Sequence, residues 1–125
     1  EKEEAEDWLQ ERYAVINVWR SINEPVITKP LALSDASTMQ SGDFIETDLV
    51  YADRLGEILQ VKYSVEQRWY YFSDMTRDEA LLIKCFDSAI DGRARFTAHT
   101  AFTNPNAQEN SPPRESIEVR TLVAF

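Results

Sequence analysis

The sequence predicts a mainly β chain. One N-terminal helix is followed by seven or eight strands, folded as an antiparallel sandwich, jelly roll or barrel. Three observations carry this. Short segments rich in β-branched and aromatic residues recur along the chain. The loops between them hold most of the Pro, Asn and Gly. Helical stretches between the strands are too sparse for a parallel α/β sheet.

The elements follow in order. "EKEEAEDWLQERYA" consists of helix formers with acids in its first turn, and Ala5, Trp8, Leu9 and Arg12 share one face, so residues 1–14 read as an amphipathic helix. The β-rich part is then residues 15–125. "AVINVWRSI" reads as a strand, and "NEPVITKP" breaks it with two prolines. "LALSDAS" is a short apolar strand ending at Asp35 in a turn. "FIETDLVYAD" and "GEILQVKYS" alternate, the second better than the first. "RWYYFS" is a β-prone aromatic run in which Trp69 and Tyr71 point one way and Tyr70 and Phe72 the other. "ALLIKCFDS" fits helix or strand by periodicity. Its shortness and the flanking "DMTRDE" and "IDGR" favour a buried strand. "ARFTAHTAF" and "SIEVRTLVAF" complete the set.

The 125 residues amount to a single domain or part of a larger one, with enough apolar and aromatic side chains for one core. No apolar run reaches bilayer-spanning length. The N-terminal stretch is acidic, opposite to a secretory signal, so a cytoplasmic protein is expected. A net charge of −9 with scattered Lys and Arg excludes a nucleic-acid surface. The one cysteine, Cys85, lies in an apolar run and reads as a buried thiol.

Chemistry centres on the one histidine, His99. By itself it is more often a packed or surface residue than a ligand. With no second histidine and no cysteine pair, any metal site built within this chain would lean on carboxylates. The pairs Glu46/Asp48 and Asp78/Glu79 read as solvated faces and turns. Downstream of His99, Arg114 and Ser116 lie two residues apart and so share a strand face. Arginine offers a two-pronged grip on a carboxylate. A hairpin would bring that pair towards His99; otherwise Arg114 caps a turn after "SPP". Trp19 reads as core, and Asn17, on the same face, could hydrogen-bond a small ligand.

The blocks "INVWRSINEPV", "PLALSDAS", "RWYYFSDMTRDEALLIKCFDS", "GRARFTAHTAF" and "PPRESIEVRTLV" resemble the C-terminal half of a family of non-haem iron hydroxylase/desaturases. That family includes an aspergillic acid pathway hydroxylase, gibberellin desaturases and a cephamycin methoxylation component. The resemblance runs from about Tyr13 to the C-terminus. It implies a double-stranded β-helix (jelly roll), dependence on Fe(II) and 2-oxoglutarate, and a small natural-product-like substrate to be hydroxylated or desaturated. His99 matches the distal iron-ligating histidine. Arg114 and Ser116 match the pair that grips the far carboxylate of 2-oxoglutarate, Arg120 is the competing arginine on the same strand face, and Asn17 is a further contact.

The family's first two iron ligands, in a His-x-Asp motif, have no counterpart in this chain. The expectation is therefore the C-terminal part of a longer oxygenase, completed by a missing N-terminal segment or a partner chain. The rival is a short, non-catalytic jelly-roll subunit or binding module that has lost the metal. Ser34 stands where the family commonly has Cys, and Ser73 and Ala98 where it commonly has Pro.

Overall fold

A computed structural model describes residues 10–23 and 25–125. Eight strands appear in the order expected: β1 (Tyr13–Ser21), β2 (Leu31–Ser34), β3 (Phe44–Val50), β4 (Leu55–Val61), β5 (Trp69–Tyr71), β6 (Leu81–Asp87), β7 (His99–Ala101) and β8 (Ser116–Ala124). Two single 3-10 turns, Ala36–Thr38 and Ser41–Asp43, separate β2 from β3. The first nine residues of the expected helix lie outside the described residues. Its last two, Tyr13 and Ala14, already belong to β1, because they pair with Ala124 and Val123 of β8. The stretch "ARFTAHTAF" yields a strand of only three residues.

The strands form two three-stranded antiparallel sheets, β6-β1-β8 and β5-β2-β7, and a separate hairpin, β3-β4. The chain crosses from one three-stranded sheet to the other after β1, β5, β6 and β7, and this winding is that of a jelly roll. β3-β4 is an excursion between two strands of the same sheet, closed at its tip by Tyr51 N–H donating to Arg54 O at 2.9 Å.

Alternation along β1 decides where the core sits. Asn17, Trp19 and Ser21 are buried, and the intervening residues are only half-buried. Trp19 joins Val26, Met75, Leu81 and Ile83 in a cluster, with Leu31, Leu33 and Cys85 packed against it. Burial of each aliphatic member contributes about 1.5–3 kcal/mol. β2 ends as expected at Asp35, whose carboxylate accepts from Ser37 N–H at 3.0 Å and Ser37 Oγ at 2.6 Å.

A second anchor ties the ends of the described chain. Asp87, at the end of β6, is fully buried. Arg12 reaches it with Nε and Nη2 at 3.2 and 2.9 Å, and Lys84 Nζ lies at 3.0 Å. Arg12 also stacks over Phe125, 3.9 Å from the ring centroid, and its carbonyl accepts the Phe125 N–H at 3.0 Å.

Candidate functional site

A cleft of about 1250 Å³ opens where β7, β8 and the end of β6 face the β3-β4 hairpin. His99 and Arg120, contributed by the two different three-stranded sheets, both line it. His99 opens β7 directly across from Leu33, which packs against the core. Its Nδ1 lies 2.9 Å from Thr97 O. With the proton on Nδ1 donated to that carbonyl, Nε2 keeps its lone pair, which is how a protein presents a histidine to a metal.

Arg120 is held from behind. It sits opposite Asn17 in the β1-β8 register, and its Nε donates to Asn17 Oδ1 at 3.2 Å. Asn17 is only 1% exposed, and its Nδ2 donates to Glu118 Oε1. With Nε so engaged, the terminal nitrogens of the guanidinium remain to meet an anion. Cys85 also lines the cleft. Burial pushes its thiol pKa up, Arg120 pulls it down, and Glu118 adds to the rise. A thiol so placed is a poor nucleophile.

Arg114 and Ser116 lie elsewhere. Ser116 pairs with Ser21 at the far end of the sheet. Arg114 lines a separate cavity of about 380 Å³ with Lys29 and Ser111. Its Nη1 donates to Lys29 O at 3.0 Å, and its guanidinium sits 5.7 Å from the centroid of Trp19. One cavity shared by Arg114, Ser116 and His99 is therefore not what the structure shows; Arg120 shares the cleft with His99. Strand alternation does not extend back to Arg114. Pro112 and Pro113 have no N–H to give a ladder, and Glu115 N–H goes to the Asn23 side chain, so β8 starts at Ser116. The arginine side chain nonetheless folds back to Trp19, two residues from Asn17 on the same face of β1.

The cleft walls include residues that sequence reasoning placed elsewhere or passed over. Trp69 lines the cleft, as do Phe44 and Phe96, whose rings are 6.1 Å apart. Glu46, read from sequence as solvated, and Glu57 face it from the hairpin. Glu118 was not singled out, although its parity with Ser116 and Arg120 was available. Among the described residues no group of three or more His, Cys, Asp or Glu is placed to hold a metal. The donor chemistry of His99 fits one position of an iron site and does not complete it.

Comparison with known proteins follows the same line. A family model described as "Oxidoreductase/YMDC permease-like domain" matches residues 1–124. The chain is 43% identical to a hydroxylase/desaturase, asaB, of Aspergillus flavus, over 98% of this chain and 60% of the relative. It is 39% identical to an Fe(II)/2-oxoglutarate-dependent dioxygenase, nvfI, of Aspergillus novofumigatus, over 97% of this chain and 44% of the relative. The solved structure of the iron and alpha-ketoglutarate-dependent endoperoxidase NvfI, in a W199F variant, superposes with a TM-score of 0.92 at 36% identity, over 98% of this chain and 45% of that one. The chain thus spans about half the length of the relatives it matches.

Proposed function

The chain belongs to the family described as an oxidoreductase/YMDC permease-like domain, and from that premise we propose that it carries part of the active site of an Fe(II)/2-oxoglutarate-dependent oxygenase acting on a small natural-product-like molecule. The observation that carries this is the convergence of His99 and Arg120, from two sheets, on one cleft. The names of the relatives give the cofactors their identity.

His99 would hold the iron through Nε2, its orientation kept by Thr97 O. Arg120, steadied by Asn17, meets the 2-oxoglutarate carboxylate nearest the metal. Arg114 and Ser116, outside this cleft, take no part in that grip. When bound, iron with 2-oxoglutarate supplies the oxidising power for hydroxylation or desaturation. The aromatic wall of Phe44, Trp69 and Phe96 receives the substrate and keeps water away from it. The remaining iron ligands come from outside the described residues, from the same polypeptide or a partner. A reducing compartment such as the cytoplasm suits both Fe(II) and the free thiol of Cys85. Among the described residues no helix is long and apolar enough to cross a membrane.

The test is succinate release from 2-oxoglutarate by the protein expressed from its complete reading frame. The oxygenase reading expects release that depends on added Fe(II). No release with or without Fe(II) would favour the non-catalytic jelly-roll module instead.

A further inference from the structure

The contacts behind Arg120 form a relay with only one workable direction. Asn17 is 1% exposed, so neither end of its amide can be left unpaired cheaply. Glu118, as a carboxylate, only accepts, and a guanidinium only donates. The amide of Asn17 must therefore turn Nδ2 to Glu118 and Oδ1 to Arg120, as observed. The register explains how the three meet: Asn17 stands opposite Arg120, and Glu118 stands opposite Trp19, the next residue on the same face of β1.

We propose that Glu118 is a positioning residue which, through the amide of Asn17, fixes the guanidinium of Arg120 so that its terminal nitrogens face a ligand carboxylate beside His99. This rests on the proposed function for the identity of that ligand, 2-oxoglutarate. It goes further in assigning a role to a carboxylate that never touches the ligand. Charge alone makes the opposite forecast. An anionic Glu118 near an anionic ligand repels it, so neutralising Glu118 should tighten binding. The relay predicts weaker binding where the acceptor is removed, as in Glu118→Ala, because Asn17 Nδ2 loses its partner and the amide no longer has a fixed direction, whereas Glu118→Gln keeps an acceptor oxygen for Nδ2 and should bind like wild type.

The experiment compares wild type, Glu118→Ala, Glu118→Gln, Asn17→Ala and the Glu118→Ala/Asn17→Ala double variant in the protein expressed from its complete reading frame. The expected result is a rise of about tenfold in KM for 2-oxoglutarate in Glu118→Ala, with kcat nearly unchanged, and a KM near wild type in Glu118→Gln. The double variant should be no worse than Asn17→Ala alone, since both act through one route. A second readout needs no iron. In 15N-labelled protein the Asn17 Nδ2 and Arg120 Nε protons should be protected from exchange in wild type and lose protection in Glu118→Ala. A KM in Glu118→Ala at or below the wild-type value, or Arg120 Nε protection unchanged by that substitution, overturns the relay. Wild-type protein without 2-oxoglutarate-dependent succinate release overturns the proposed function and the ligand named here, while loss of Arg120 Nε protection in the variant would still uphold the relay itself.

Discussion

At the residue scale the two arginines separate by what already holds them. Arg120 is held at Nε by Asn17 Oδ1, whereas Arg114 gives Nη1 to Lys29 O. Replacing Arg120 by Ala removes a charge-assisted contact of roughly 1.5–3 kcal/mol, so KM for 2-oxoglutarate should rise at least about tenfold. Arg120→Lys should recover part of that, because an ammonium cannot reproduce the fork. Arg114→Ala, outside the cleft, should leave that KM unchanged; a rise like that of Arg120→Ala would place Arg114 at the ligand. Ser34 makes a different point. Its Oγ is buried with no hydrogen-bond partner among the described residues, at a position where the resembling family commonly has Cys. An unsatisfied buried hydroxyl costs about 1–3 kcal/mol, so Ser34→Cys should stabilise the chain by about 1 kcal/mol, read as a shift of the urea midpoint. His99 and Arg120 were both named from the sequence, their roles through the family resemblance and not from the residues themselves, and the structure brings the two to one cleft. Glu118 was not, because a glutamate in a strand carries no signal until its partner Asn17 is known to be buried.

At the element scale the strands were legible because β-branched and aromatic alternation is a local property, and β1, β2, β4, β6 and β8 fall where it placed them. The place of Arg114 was not, since Pro112, Pro113 and the Asn23 side chain across the sheet stop the ladder at Ser116 and leave Arg114 outside β8. The burial of Asp87 at the end of β6 was equally invisible, depending on Arg12 from a residue far away in sequence. The Arg12 hydrogen bond, then Lys84 and the Ala89 N–H, hold the Asp87 carboxyl well below the usual range. Arg93 likewise brings Asp91 down to about 2. Groups with depressed native pKa values add stability above the unfolded value, here 3.8, and that stability is lost as pH falls through the native ones. The urea midpoint should therefore hold steady down to about pH 4 and then fall towards pH 2. In Asp87→Asn it should be lower at neutral pH and fall less on acidification. An identical acid profile in the variant would remove Asp87 as its source.

At the scale of the whole molecule, the described strands make two sheets whose outer members, β6 with β8 and β5 with β7, are edges. On the outer face of the first sheet Leu82 is 72% exposed, and Val119 and Ile117 are each more than half exposed. Such edges and apolar faces invite association. The 125 residues alone should self-associate with rising concentration in sedimentation, and Leu82→Lys should reduce this. The jelly-roll class was legible from strand spacing together with the resemblance. The pairing order was not, because it depends on contacts between strands far apart in the chain.

The central claim is that His99 is an iron ligand, and anaerobic Fe(II) binding tests it most directly. In the protein expressed from its complete reading frame, wild type should bind Fe(II) tightly at one per chain. His99→Ala should bind it far more weakly, with an unchanged circular dichroism spectrum, because the imidazole is exposed and adds little to the core. A His99→Ala protein that binds Fe(II) as tightly and at the same stoichiometry as wild type would contradict the account.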